Sequence, residues 1–210
     1  MPTALSAEQV FHSFRPGRGR LLVRGAAGCG KTTLVRWAAV QAGLGERTAG
    51  SGHDDTPGRS ADWRDKVPFV IRLRDCPEGR LPRPGDFPLL LAKELPDPPA
   101  GWTDEVLRTG RGLVMFDGAD EVPPQARDEV VREIRQLMQT YPDNFYVVTT
   151  RPEAVDRLEF RELGFVAARI EPMTAQDREG QRRNLAPSLA RRGDSLRRPT
   201  SFRGDAPRRF

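Results

Sequence analysis

The stretch Gly25-Ala26-Ala27-Gly28-Cys29-Gly30-Lys31-Thr32-Thr33 constrains this chain more than any other. A short apolar run, Arg20-Leu21-Leu22-Val23-Arg24, precedes it, and Leu34-Val35-Arg36-Trp37-Ala38-Ala39-Val40-Gln41-Ala42 follows with helical composition. The spacing of Gly25, Gly30, Lys31 and Thr32 fits a phosphate-binding loop, and strand–loop–helix is the context that confirms such a match. Glycines let the backbone curl so that several N–H groups face one anion. The positive end of the following helix points at the same place. Lys31 is then placed to reach terminal phosphates and the Thr32 hydroxyl to ligate magnesium. The alternative is a glycine-rich turn that binds nothing. Cys29 reads as a small residue contributing backbone, with a redox role for a thiol at a helix start as the alternative.

A second feature lies about ninety residues on. Gly112-Leu113-Val114-Met115-Phe116-Asp117 is apolar throughout, as a strand covered on both faces should be. It ends abruptly in Asp117-Gly118-Ala119-Asp120-Glu121. In open α/β sheets ligands sit at the carboxyl ends of the strands. One acid there is needed for the magnesium that Thr32 also touches, and a second is placed to position attacking water. The alternative is a solvated turn leading into a helix. Phe145-Tyr146-Val147-Val148-Thr149-Thr150 is another buried strand, and Arg151-Pro152 ends it. An arginine at that tip suits sensing of a γ-phosphate. A salt bridge to one of the acids is the competing reading.

The remaining elements fall around these. Ser6 and Gln9 fit a capping box for a short helix, on whose surface His12 lies. Residues 43–66 are rich in Gly, Ser, Asp, Thr and Arg with almost no apolar anchors, and read as a flexible loop. Residues 67–73 form a second strand, with Pro68 tolerated near its start. Residues 87–95 and 102–109 read as short helices, Gly110 stopping the second. Residues 128–140 read as a helix with Val130, Val131, Ile134, Leu137 and Met138 on one face. Residues 153–162 read as a helix and 165–170 as a fifth strand. Strands and helices alternate, which argues for a parallel sheet covered on both faces.

Composition is informative at one end. The chain carries 34 basic and 29 acidic residues, and ten of the arginines but only four acids fall in 174–210. That tail holds few large apolar residues and is expected to be disordered. It is the one place where nucleic acid contact is suggested, and sparse aromatic interleaving argues against it. Two cysteines, Cys29 and Cys76, provide no disulfide framework, which points to a reducing, cytoplasmic setting. No apolar run is long enough to span a membrane, and the first residues lack the zones of a signal peptide.

With the loop, Asp117-Gly118-Ala119-Asp120-Glu121 and Thr149-Thr150-Arg151-Pro152 in hand, the chain resembles the NACHT family of P-loop ATPases, of the signal-transduction (STAND) class. The acidic segment is similar to the family's variant of the Walker B motif. Thr149 to Pro152 looks like its sensor strand, and Val70-Ile71-Arg72-Leu73-Arg74-Asp75 like its second strand. The resemblance covers about residues 21–173. It implies a three-layer P-loop NTPase fold with a five-stranded parallel sheet in the order 5-1-4-3-2. It divides the chain into a short segment 1–19, an NTPase domain 20–173 and a tail 174–210. By position it implies that Gly25, Ala26, Ala27, Gly28, Cys29, Gly30, Lys31, Thr32 and Thr33 cradle the phosphates. Thr32 and Asp117 would hold magnesium, Asp120 and Glu121 would organise water, and Arg151 would sense the γ-phosphate. The function so implied is an ATP-binding, slowly hydrolysing signalling switch that self-associates when loaded, with GTP left open. Family members normally continue into a helical bundle, whereas here the pattern gives way to arginine-rich sequence. A truncated or frame-disrupted member, or a fragment, is therefore expected. Two other readings stay open: a non-hydrolysing nucleotide-binding remnant, and a P-loop small-molecule kinase.

Overall fold

A computed structural model describes residues 5–13, 19–44, 63–91, 96–152 and 157–170. The tail expected to be disordered, and most of the loop expected over 43–66, lie outside these residues. The described elements all belong to the unit Met1–Glu171.

Apolar runs form the sheet, buried in all but its last strand, which is largely exposed. Five parallel strands, β1 (Arg20–Arg24), β2 (Val67–Arg72), β3 (Gly112–Asp117), β4 (Phe145–Thr150) and β5 (Val166–Arg169), lie in the order β2-β3-β4-β1-β5. This is the implied order, read from the opposite edge. β3 and β4 match the sequence reading residue for residue and are the most buried strands. Pro68 sits in β2, which among the described residues pairs with β3 alone; Val67 donates its N–H toward that side, so by alternation the missing N–H of Pro68 interrupts no ladder there.

Alternation along each strand then separates two apolar layers. Leu21, Val23, Leu113, Met115, Phe145 and Val147 pack with Phe11 of α1 (Ala7–His12) and with Val35, Ala38 and Ala42 of α2 (Lys31–Leu44). Leu22, Phe69, Ile71, Val114, Phe116, Tyr146 and Val148 form the opposite layer. The helices there are α3 (Phe87–Leu91), α4 (Trp102–Arg108), α5 (Arg127–Thr140) and α6 (Arg157–Glu162), which contribute Phe87, Val106, Ile134 and Phe160 among others. The capping box at α1 forms as expected: Ser6 Oγ accepts the Gln9 N–H and Gln9 Oε1 accepts the Ser6 N–H.

One expectation, the loop over 43–66, is corrected at the two ends of its range, 43–44 and 63–66. Gly43 and Leu44 complete α2, and Trp63–Asp65 form a 3-10 turn that buries Trp63 completely. Its ring lies 4.8 Å from Phe11 and 5.6 Å from Trp37, centroid to centroid. One large aromatic inside a polar window contributes enough apolar area to pin that end of the segment.

Candidate phosphate-binding site

Parallel strands bring all carboxyl ends to one edge of the sheet. The register pairs Arg24 with Thr150 and Arg72 with Asp117. The glycine loop leaves β1 at that edge, the acidic turn leaves β3, and Arg151 follows β4.

The loop is fixed at its start. The Gly25 N–H bonds to the Thr150 carbonyl at 3.2 Å, and the Arg24 carbonyl accepts the Ile170 N–H at 2.7 Å. Gly25 is buried, and a Cβ there would lie 2.4 Å from Cys29 Sγ, so a side chain at this position would have to displace the thiol. Gly28 and Gly30 have φ of +74° and +101°, the region glycine occupies without strain, and a Cβ on either would meet open space. The steric demand at those two positions is therefore conformational. The first helical bond of α2 runs from Leu34 N–H to Gly30 carbonyl, so the N–H groups of Lys31, Thr32 and Thr33 precede the helical ladder. Thr32 and Thr33 are exposed. Lys31 curls over its own loop: Nζ donates to the Gly25 carbonyl at 2.7 Å and the Ala26 carbonyl at 3.0 Å.

The acidic turn meets this loop directly. Thr32 Oγ1 donates to Asp117 Oδ2 at 2.9 Å, across 85 residues of sequence. The other oxygen, Oδ1, accepts the Thr149 hydroxyl at 2.6 Å. That hydroxyl in turn accepts the Gly118 N–H at 2.9 Å. Gly118 adopts φ +84°, which swings the chain off the strand into the 3-10 turn Ala119–Glu121. Asp120 is turned away from Asp117 and toward β4. Its Oδ1 accepts the Arg151 main-chain N–H at 3.1 Å, and its Oδ2 lies 2.8 Å from Arg151 Nε. The salt bridge weighed for Arg151 is thus formed. Glu121 is exposed and lies 3.6 Å from Arg74 Nη1.

Two contributors were not assigned from the sequence. Thr149 has no task of its own in the sequence reading; the available signal is a pair of threonines closing an apolar strand. Arg74 follows β2 in the turn Leu73–Asp75, and nothing local marks it as a neighbour of Glu121.

A magnesium ion fits the donor set found here. Thr32 Oγ1 and Asp117 Oδ2 are both hard oxygen donors. Neighbouring oxygens around magnesium, at bonds of about 2.0–2.1 Å, stand about 3 Å apart in an octahedron. The two side chains already hold that separation, 2.9 Å.

A covered parallel sheet with a glycine loop, a helix start and an acidic turn at one edge defines a P-loop NTPase fold. A family model of the NACHT domain matches residues 19–184, and the chain belongs to the NACHT family of P-loop nucleotide-binding domains. No curated protein sequence matches it significantly. Among solved structures, AMPPCP-bound DnaA from Aquifex aeolicus is 14% identical over 88% of this chain and 49% of its own, with a TM-score of 0.46. PCH-2 from C. elegans is 13% identical over 82% of this chain and 41% of its own, with a TM-score of 0.47. A DNA replication initiation factor is 16% identical over 88% and 48%, with a TM-score of 0.44. The chain spans about half the length of these structures or less. No helix among the described residues is long and apolar enough to cross a membrane.

Proposed function

We propose that this domain is a magnesium-dependent ATP switch of the STAND type, which hydrolyses slowly and self-associates when loaded with nucleotide. The observation that carries the reading is the 2.9 Å contact between Thr32 and Asp117, which joins the glycine loop to the acidic turn. Two segments so far apart in sequence, both suited to phosphate and metal chemistry, share one edge of the sheet.

In this reading residues 25–33 wrap the phosphates with main-chain N–H groups. Lys31 leaves the carbonyls of Gly25 and Ala26 and donates to the β- and γ-phosphates instead. Thr32 and Asp117 hold magnesium, which when bound draws charge from the phosphate oxygens. Glu121, the exposed acid, orients water. Arg151 answers to the γ-phosphate, with Asp120 beside it. The two free cysteines are compatible with a reducing compartment such as cytoplasm.

A second reading has its own support. Lys31, Asp120, Glu121 and Arg151 are each engaged by groups of the chain itself. A domain that keeps those contacts would hold nucleotide and turn over nothing.

Phosphate release from ATP and from GTP, with magnesium and no acceptor, separates these readings. The switch reading expects slow release that disappears in Lys31→Ala together with binding. In Glu121→Gln binding is retained and release slows. Tight binding without release supports the second reading. Transfer seen only with an added acceptor would make the domain a kinase and refute both.

A further inference from the structure

The side chain of Asp120 is enclosed where that of its neighbour Glu121 is not. Its side chain is 6% exposed, against 43% for Glu121, the next residue in the same turn. A carboxylate so enclosed requires a cation and hydrogen bonds to be tolerated. Both of its oxygens go to one residue, Arg151, through the main-chain N–H at 3.1 Å and Nε at 2.8 Å. Among the described residues no other cation pairs with it. Such a group is poorly disposed to hold a reacting water.

The geometry at Arg151 is equally specific. The main chain of Arg151 is held by a hydrogen bond and its Nε stands at ion-pair distance from Asp120, which tethers the base of the planar fork. The contacts with Asp120 use the main chain and the inner nitrogen, and among the described residues neither Nη group has an ion-pair or hydrogen-bond partner. The side chain remains 52% exposed, so an anion has access to it.

We infer that Asp120 is a positioning residue: it holds Arg151 by its stem so that the outer fork distinguishes a nucleoside triphosphate from a diphosphate. This rests on the nucleotide-binding reading above and deepens it. Asp120 then contributes to turnover only through Arg151.

The test is a double-mutant cycle on the full chain. Dissociation constants for ATP and ADP with magnesium, and for GTP and GDP in parallel, are measured for wild type, Asp120→Asn, Arg151→Ala and the double variant. Each single change is expected to lower the triphosphate-to-diphosphate affinity ratio by about tenfold, as for a charge-assisted contact, and the double variant to lower it no further. Arg151→Lys, which keeps the charge and loses Nε, is expected to behave like Asp120→Asn. Should removal of the partner unfold Arg151→Ala, the Asp120→Asn and Arg151→Lys pair completes the same cycle. A nucleotide-free readout accompanies it: the Arg151 Nε–H proton resonance, identified by its loss in Arg151→Lys, should move in Asp120→Asn. An unchanged ratio in Asp120→Asn with collapsed phosphate release would assign Asp120 to water and overturn the inference. Losses that multiply in the double variant would overturn it as well. If wild type binds none of the four nucleotides, the underlying reading falls; if it binds them with a ratio indifferent to both residues, only this inference falls.

Discussion

Thr149→Val isolates one oxygen at the point where β3, β4 and the acidic turn meet. Valine has nearly the shape of threonine, so no cavity opens, but two hydrogen bonds go. The hydroxyl donates to Asp117 at 2.6 Å and accepts the Gly118 N–H at 2.9 Å, with Thr149 fully buried. A bond to a charged group contributes about 1.5–3 kcal/mol, and an N–H left buried without a partner costs about 1–3 kcal/mol. The substitution should therefore cost about 3–5 kcal/mol, a large share of the roughly 5–15 kcal/mol that stabilises an ordinary domain. Thr149→Ser keeps the oxygen and loses one methyl, at about 1 kcal/mol. For a domain of this size each kcal/mol moves Tm by about 2–4 °C, so valine should lower it by about 10 °C and serine by about 3 °C. Thermal unfolding monitored by circular dichroism measures both. Titration with nucleotide, with and without magnesium, supplies a second readout, since freeing Asp117 should weaken the magnesium-dependent part of affinity most. If valine proves as stable as serine, the Thr149 hydroxyl does not hold the acidic turn and the reasoning fails.

Gly25→Ala should abolish nucleotide binding, because its Cβ would meet Cys29 Sγ at 2.4 Å; adding Cys29→Ala should recover part of it, which a fluorescent-nucleotide titration reads. Trp63→Ala should destabilise the domain by about 3–5 kcal/mol in urea unfolding, whereas an unanchored loop end would predict no change. Tyr141 donates to Asp104, and that bond, with some burial, raises its hydroxyl from 10.0 to about 12. A group raised in the folded state contributes stability below its unfolded pKa and loses it as pH climbs through the folded one. Between pH 10 and about 12 the wild type should thus lose stability faster than Tyr141→Phe, and equal slopes of unfolding free energy against pH would count against the bond.

Some of this was legible without coordinates because it is local. β3 and β4 are apolar runs that turn polar only at their carboxyl ends, and burial on both faces requires such runs. The glycine loop announces itself by fixed spacing, and the box at Ser6 by two residues three apart. What stayed hidden depends on strand order. Thr149 touches Asp117 because β4 lies beside β3, and Arg74 nears Glu121 because β2 lies on β3's other side. No window of neighbouring residues contains either pairing. Trp63 was lost for a different reason: averaging over a polar segment conceals a lone aromatic, although one such side chain suffices to anchor it. The sequence also left two partners open to Arg151, and in the structure the acid has it.

The placement of β4 carries a genetic consequence. Strand side chains alternate, so Thr149 and Arg151 share a parity while Thr150 has the other. Gaining or losing a single codon within 145–148 would shift that parity for both Thr149 and Arg151. The hydroxyl would leave Asp117 and the guanidinium would leave Asp120 in the same event. Point substitutions can dismantle these two grips separately, but a one-codon insertion or deletion ahead of Thr149 displaces both residues together.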